Sequence, residues 1–227
     1  MLAQTKQKIL TATLLAACAA FAWVSGAAGQ SKEPIKIGFS MAMTGGLGPN
    51  GKSALLADKI WEEDVNAKGG LLGRPVKLIY YDDQTQPATV PGIYTKLLDV
   101  DKVDIIMGGY ATNMLAPAMP VVMQRNKLFI GMLGLGVNSE FNYPNYFVMI
   151  PSGPDPKPSF TAGFFDVAMA QDPKPTTVAI VAADAEFAVN ASDGARENAR
   201  KAGLKIVYDK RYPPATDRKS TRLNSSH

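Results

Sequence analysis

Three consecutive segments decide the fold of this chain: IKIGFSM (Ile35–Met41), SALLADKIWEEDVNAKGG (residues 53–70) and VKLIYYDD (residues 76–83). The first and third are short, apolar and rich in β-branched or aromatic residues, as buried strands are. The middle segment carries apolar residues at helical spacing and stops at Gly69-Gly70. A strand, a helix and a strand in this order predict two parallel strands joined by a crossover helix.

The same alternation continues along the chain until PSGPDPKPS (residues 151–159) interrupts it with four prolines and a glycine. We interpret residues 151–158 as a hinge crossing between two domains, a first lobe over residues 32–150 and a second over residues 159–216. The predicted fold is therefore α/β, with two doubly wound parallel-sheet lobes joined by a hinge. The later predicted elements are a helix after Pro91, strand 103–109, helix 114–125, strands 127–132 and 146–150, helix 160–170, strand 177–183, helix 188–202 and strand 204–210.

The N-terminus has the three parts of a secretory signal peptide, predicted over residues 1–28. Lys6 and Lys8 precede an uncharged apolar run at residues 9–24, and small residues follow. A transmembrane anchor is the alternative, and Cys18 in Leu-Ala-Ala-Cys leaves lipidation open as a second one. Because Cys18 is the single cysteine, the exported body is predicted to have no disulfide and no thiol nucleophile. The export signal predicts the periplasm.

The C-terminal residues 217–227 (DRKSTRLNSSH) have no apolar periodicity and resemble the translated read-through of adapter DNA; a native disordered tail is the alternative. A non-native tail would make the second lobe truncated, and we then expect weak ligand binding. Formal net charge is +4, and it falls to −1 without the five positive side chains of the two ends, so the basic balance does not indicate nucleic-acid binding. The single histidine, His227, lies in this tail, which leaves no His-based catalytic or metal site.

Residues 46–53 (GLGPNGKS) match the phosphate-binding P-loop pattern and lie between a strand and a helix. In an NTPase, Lys52 would neutralise phosphate, while Ser53 and Asp82 would hold magnesium. Pro49 removes one amide from the loop, and the export signal sends the chain to a compartment poor in nucleotides. We therefore favour a glycine-rich loop that ends near a helix cap at Ser53, with the NTPase kept as an alternative.

Several segments together carry a resemblance to a known family. They are IKIGFSMAMTGGLGPNG (residues 35–51), EDVNAKGGLLGRPVKLIYYDDQTQP (residues 63–87) and VDIIMGGYATNMLAPAMPVV (residues 103–122). In this order they resemble the leucine/isoleucine/valine-binding family of type I periplasmic binding proteins, over residues 35–212. The resemblance implies two lobes that close over a small solute, which is delivered to an ABC permease in the inner membrane. It implies a binding protein without cofactor, metal or catalytic residues. A ligand-sensing receptor of the same fold is the alternative.

The resemblance also implies a ligand site at the carboxyl ends of the strands, where open parallel sheets bind ligands. Tyr110, Ala111, Thr112 and Asn113 lie where the third strand meets its helix, and Thr112 would hold the ligand carboxylate together with nearby amides. Asn113 as a plain helix cap is the alternative.

The remaining implied site residues depart from the family pattern. Leu135, Gly136 and Val137 match the stretch that holds an amino-acid head group, but Val137 lacks the hydroxyl. Asn50 stands where an aromatic residue is frequent, and Phe187 stands where a tyrosine covers the ligand; Phe187 as plain core is the alternative. The acidic partner of a ligand ammonium group would lie beyond the truncation. These departures leave the solute open between an amino acid, another carboxylate, an amide and a urea-like compound.

Overall fold

A computed structural model of the protein describes residues 33–214. The predicted signal segment with Cys18 and the tail at residues 217–227 lie outside the described residues. The strands are β1 (Ile35–Met41), β2 (Val76–Asp82), β3 (Ile105–Met107), β4 (Phe129–Gly131), β5 (Tyr146–Val148), β6 (Thr177–Ala183) and β7 (Lys205–Tyr212). The first unit contains a five-stranded sheet in which every pair is parallel, in the order β2-β1-β3-β4-β5. The second contains a parallel pair, β6-β7.

Helices connect successive strands, as the alternating pattern predicts. They are α1 (Gly48–Ala67), α2 (Val90–Asp99), α3 (Thr112–Leu115), α4 (Met119–Gln124), α5 (Asn138–Phe141), α6 (Pro156–Met169) and α7 (Glu186–Lys201), with 3-10 turns at Pro87–Thr89 and Ala116–Ala118. The predicted α/β fold with parallel sheets is confirmed. Within residues 33–214, no helix is both long and apolar enough to cross a membrane.

Two hydrophobic clusters cover the two faces of the first sheet. Phe39 and Met41 of β1 pack with Leu55 of α1 on one face. Tyr94 of α2 packs with Phe129 and the α3–α4 segment on the other. This division follows from the period of two in a strand, which sends alternate side chains to opposite faces. The sheet is therefore doubly wound, with helices packed on both of its faces.

The second unit, residues 156–214, has a smaller core. Phe165 of α6, Ala199 of α7 and Leu204 form its buried cluster, which covers one face of the β6-β7 sheet. Among the described residues, the other face leaves Val181 and Val207 exposed. The two units touch where α3 meets α7.

Prolines explain where the helices depart from the sequence expectations. Helix α1 begins at Gly48, five residues before the predicted start, because Pro49 suits a first helical turn. The predicted helix 114–125 is three short pieces, since Pro117 and Pro120 each remove a backbone donor. Helix α6 starts at Pro156 instead of residue 160 for the same reason as α1. The strands predicted at 103–109, 127–132 and 146–150 are each only three residues long.

Candidate functional site

A cleft of about 810 Å³ lies between the carboxyl ends of the first sheet and the start of helix α7. One wall comes from loops of the first unit, and the other comes from α6, α7 and the end of β6. Its lining residues are Gly46, Leu47, Asn50, Thr85, Pro87, Tyr110, Ala111, Asn113, Leu133, Ile150, Phe160, Asp184, Ala185, Glu186, Phe187, Ala188 and Pro214. This is the edge of an open parallel sheet at which ligands bind.

Backbone amides are the positive groups of this cleft, since no lysine or arginine lines it within residues 33–214. Helices α1 and α7 both begin at the cleft, and neither has a side-chain cap. The first amides of α7, from Glu186 to Ala188, have no backbone acceptor among the described residues, and the same holds for Thr112 and Asn113. Free amides at a helix start carry partial positive charge and favour a small anion.

Asp82 holds together the loops that follow β1 and β2, which form part of the cleft wall of the first unit. Its Oδ1 accepts hydrogen bonds from the amides of Met43 at 3.0 Å, Thr44 at 3.2 Å and Gln84 at 2.8 Å. Its Oδ2 accepts one from the Thr44 hydroxyl at 2.7 Å. Burial acts to raise the pKa of Asp82, but these hydrogen bonds outweigh it and lower the pKa below the ordinary value.

Thr85 completes the junction between the loops. Its hydroxyl donates to the carbonyl oxygen of Thr44 at 2.7 Å and accepts from the amide of Leu47 at 3.2 Å. Gly45 has a φ of +78°, and a side chain there would meet the Gln84 carbonyl and Thr85. The two loops therefore approach closely only because position 45 is a glycine.

The segment after β3 turns sharply at the floor of the cleft. Ala111 has φ 83° and ψ 152°, a conformation that residues with a side chain rarely adopt. The turn places Tyr110 and Asn113 in the cleft wall and buries Thr112 completely. Asn50 donates a hydrogen bond of 3.0 Å from Nδ2 to the Tyr110 hydroxyl, which keeps its own proton for another acceptor.

The second wall combines an aromatic pair with two carboxylates. Phe160 and Phe187 meet edge to face, with ring centroids 5.3 Å apart. Asp184 forms an ion pair with Arg211 at 3.7 Å. Glu186 is half-buried, and burial raises its pKa above the ordinary value. Repulsion from Glu140 adds to that rise, while Lys157 partly offsets it.

The structure places the predicted site residues in two groups. Asn50, Tyr110, Ala111, Asn113 and Phe187 line the cleft. Thr112 and Leu135 are fully buried, and Gly136 and Val137 border a separate crevice of about 300 Å³.

Two alternatives from the sequence are wrong. Asn113 is no cap, because α3 has no side-chain cap bond, and Phe187 is part of the cleft wall and not of a core cluster. Sequence reasoning missed Ile150 and Phe160. Ile150 lies just beyond β5, so the strand-end rule could have found it.

The P-loop interpretation fails on geometry, and so does the expected cap at Ser53. Gly48 to Ser53 are already helical, and the amide of Gly51 donates to Leu47. Ser53 lies a turn inside α1, where its hydroxyl donates to the Pro49 carbonyl at 3.1 Å. Asp82 is engaged with the loop of residues 43–44. In residues 33–214, no group of three histidine, cysteine or acidic side chains could hold a metal ion.

Two α/β units with parallel strands therefore line one cleft. The family model described as periplasmic binding protein matches residues 34–221, and this chain belongs to that family. The Leu/Ile/Val-binding protein of Escherichia coli K12 is 23% identical over 196 residues, which are 86% of this chain and 51% of that protein. The amino acid binding protein of Pseudomonas aeruginosa is 31% identical over 84 residues, 34% of this chain and 22% of that protein.

Solved structures share the fold. The branched-chain amino acid substrate-binding protein LivJ of Streptococcus pneumoniae, in complex with isoleucine, matches with a TM-score of 0.68 and 19% identity, over 86% of this chain and 55% of that one. A solute-binding protein of Rhodopseudomonas palustris in complex with benzoate matches with a TM-score of 0.71 and 16% identity, over 84% and 51%. The chain spans about half the length of the E. coli relative and of these two structures.

Proposed function

We propose that this chain belongs to the solute-binding component of a bacterial ABC importer, which captures a small carboxylate-bearing solute between its two units. The observation that carries the proposal is the cleft, which combines unpaired backbone amides with an apolar lining and, in the part of the chain that the structure describes, no basic side chain. Amides bind a carboxylate through directed hydrogen bonds, so that binding remains weak enough for later release. The similar proteins named above are binding proteins for amino acids or aromatic acids, which supports this class of solute.

Both walls of the cleft carry apolar side chains that suit the apolar part of such a solute. Phe160 and Phe187 present ring surface to the cleft, and Leu133 and Ile150 add aliphatic surface from the first unit. Burial of about 100 Å² of apolar solute surface contributes about 2.5 kcal/mol. A few polar groups that fix orientation, within a mainly apolar cleft, are the usual composition of a small-molecule site.

The partner and the location follow from this role. A solute captured between two units has to be handed to a membrane protein, and we propose an ABC permease in the inner membrane. The signal-like N-terminus supports export to the periplasm. Capture and delivery need no catalytic group, no cofactor and no nucleic acid.

Thermal unfolding of the intact protein with a panel of solutes tests the proposal. The panel is L-leucine, L-phenylalanine, benzoate, 3,4-dihydroxybenzoate, urea and ATP with magnesium. One carboxylate should raise the unfolding temperature, since a ligand at a hundredfold its Kd stabilises by about 2.7 kcal/mol. Phe187→Ala should weaken that effect, and the control Phe164→Ala, at an exposed position outside the cleft, should not. A shift of the unfolding temperature with ATP alone would contradict the proposal. So would the absence of a shift with every member of the panel.

A further inference from the structure

The outer face of helix α1 exposes two large aliphatic side chains. The helix packs on the first sheet through Gly51 and Leu55, which are buried. On the side that faces solvent, Leu56 and Ile60 are 60% and 58% exposed. Neither residue lines the cleft, so solute binding does not account for their exposure. Residues four apart are neighbours on a helix surface, and Leu56 and Ile60 therefore form one continuous apolar strip.

Charges of opposite sign flank this strip. Lys52 lies one helical turn before Leu56, and Asp64 lies one turn after Ile60; both charged residues are exposed. The four residues form a single row with a spacing of four, which is one of the rows through which helices pack against each other. This row, the α1 ridge, is basic at its N-terminal end, apolar in the middle and acidic at its C-terminal end.

Both charged ends of the α1 ridge retain the capacity for a further partner. Lys52 makes no hydrogen bond and no ion pair within 4.0 Å in the part of the chain that the structure describes. Asp64 pairs with Lys68 through Oδ2 at 2.6 Å, and its Oδ1 has no partner among residues 33–214. The other lysine near the middle of α1, Lys59, is directed to β2, where its Nζ lies 5.4 Å from the ring centroid of Tyr80.

We propose that the α1 ridge is a contact surface between two copies of this chain, related by a two-fold axis that passes between Leu56 and Ile60. In this antiparallel arrangement each Leu56 meets the partner's Ile60, and each Lys52 meets the partner's Asp64. A two-fold contact requires a surface that is complementary to itself. The order basic, apolar, apolar, acidic meets this requirement, because its reversal sets opposite charges against each other and apolar groups together. That self-complementarity favours a second copy over an unrelated partner.

The size of this contact limits its strength. A single pair of helices buries less than the roughly 1,600 Å² of total surface that is usual in stable protein–protein interfaces. We therefore expect a reversible dimer with a Kd of about 10–100 µM. The four residues of the α1 ridge do not line the cleft, so the monomer and the dimer should bind solute alike.

Sedimentation equilibrium of the intact protein, without its signal segment, tests the inference over a range of about 5–500 µM. Leu56→Glu should weaken association by at least about a hundredfold, because two carboxylates would then enter the apolar centre of the contact. Val100→Glu is the matched control. Val100 is 68% exposed but lies at the end of α2, on the other face of the sheet, and its substitution should leave association unchanged.

Charge reversal tests the two-fold pairing itself. Lys52→Glu and Asp64→Lys should each weaken association by about tenfold, because like charges would meet at both ends of the contact. The double variant Lys52→Glu/Asp64→Lys restores opposite charges across the axis and should recover the Kd of the wild type. Circular dichroism checks that each variant is folded.

Three results would overturn the inference. The first is a wild type that remains a monomer at about 500 µM. The second is a dimer that Leu56→Glu leaves intact, which would place the contact on another surface. The third is a double charge variant that associates no better than the two single variants, because the two charges would then not meet across the axis.

Discussion

The hydroxyl oxygen of Thr112 accepts a hydrogen bond of 2.9 Å from the backbone amide of Leu135, and both residues are fully buried. The carbonyl oxygen of the same Leu135 accepts a bond of 2.8 Å from Nδ2 of Asn190, on helix α7. One peptide segment of the first unit is therefore held on one side by its own lobe and on the other by the second unit. The two residues of the first unit in this connection, Thr112 and Leu135, are ones that the family resemblance assigns to the ligand.

Thr112→Val should lower the free energy of unfolding by about 1–3 kcal/mol, because the buried amide of Leu135 loses its acceptor. Valine has nearly the shape of threonine, so little of the loss would come from packing. Thr112→Ser keeps the hydroxyl and serves as the control, with a smaller loss from its missing methyl group. Urea denaturation measures both, and a Thr112→Val protein as stable as the wild type would contradict this account.

Asn190→Ala should open the cleft, because it removes the side chain that reaches from α7 to the first unit. Small-angle X-ray scattering should show a larger radius of gyration than for the wild type. Asn198→Ala is a matched control on the same helix, since Asn198 donates to the Pro158 carbonyl within the second unit. It should lower stability without opening the cleft. Equal radii for both variants would show that Asn190 does not hold the units together.

The order of helices and strands can be predicted from the sequence because hydrophobic periodicity indicates which residues are buried. The strand Thr177–Ala183 matches its prediction residue for residue, and β1 does too. The boundaries at Gly48 and Pro156 were missed because a proline in a first helical turn looks, in a sequence, like a helix breaker. The short strands β3 to β5 were overestimated, since apolar residues continue past the point where the backbone leaves the sheet.

Only part of the cleft can be predicted from the sequence, and the reason is physical. Asn50, Tyr110 and Asn113 follow the strand-end rule, which depends on local order alone. Phe160 reaches the cleft through the packing of the second unit on the first, and no local pattern encodes that packing. Thr112 has the chemistry of a ligand-binding hydroxyl, but the strained turn at Ala111 directs it to Leu135.

Asp82→Ala should lower the free energy of unfolding by about 1–3 kcal/mol, since three amides and one hydroxyl lose a charged acceptor. The pKa of Asp82 is depressed in the folded protein, so its contribution is present above the ordinary value of 3.8 and is lost as the pH falls through the lower folded value. The difference between wild type and variant should thus shrink in acid. Urea denaturation at a series of pH values tests this. A constant difference would mean that the charge is irrelevant, and Asp64→Ala, at an exposed site, should show little effect at any pH.

Gly51→Ala should destabilise the protein by about 1–3 kcal/mol or more, although alanine favours helices. A side chain at Gly51 would overlap the backbone carbonyl of Ala42, so α1 would have to move away from the end of β1 and widen the cleft. Gly92→Ala in α2 is the matched control, because a side chain there meets open space and should stabilise by about 0.5–1 kcal/mol. Thermal unfolding of the two variants tests whether close packing of α1 on β1 explains the second glycine in GPNGKS. If Gly51→Ala were as stable as Gly92→Ala, close packing of α1 on β1 would not be the reason for glycine at position 51.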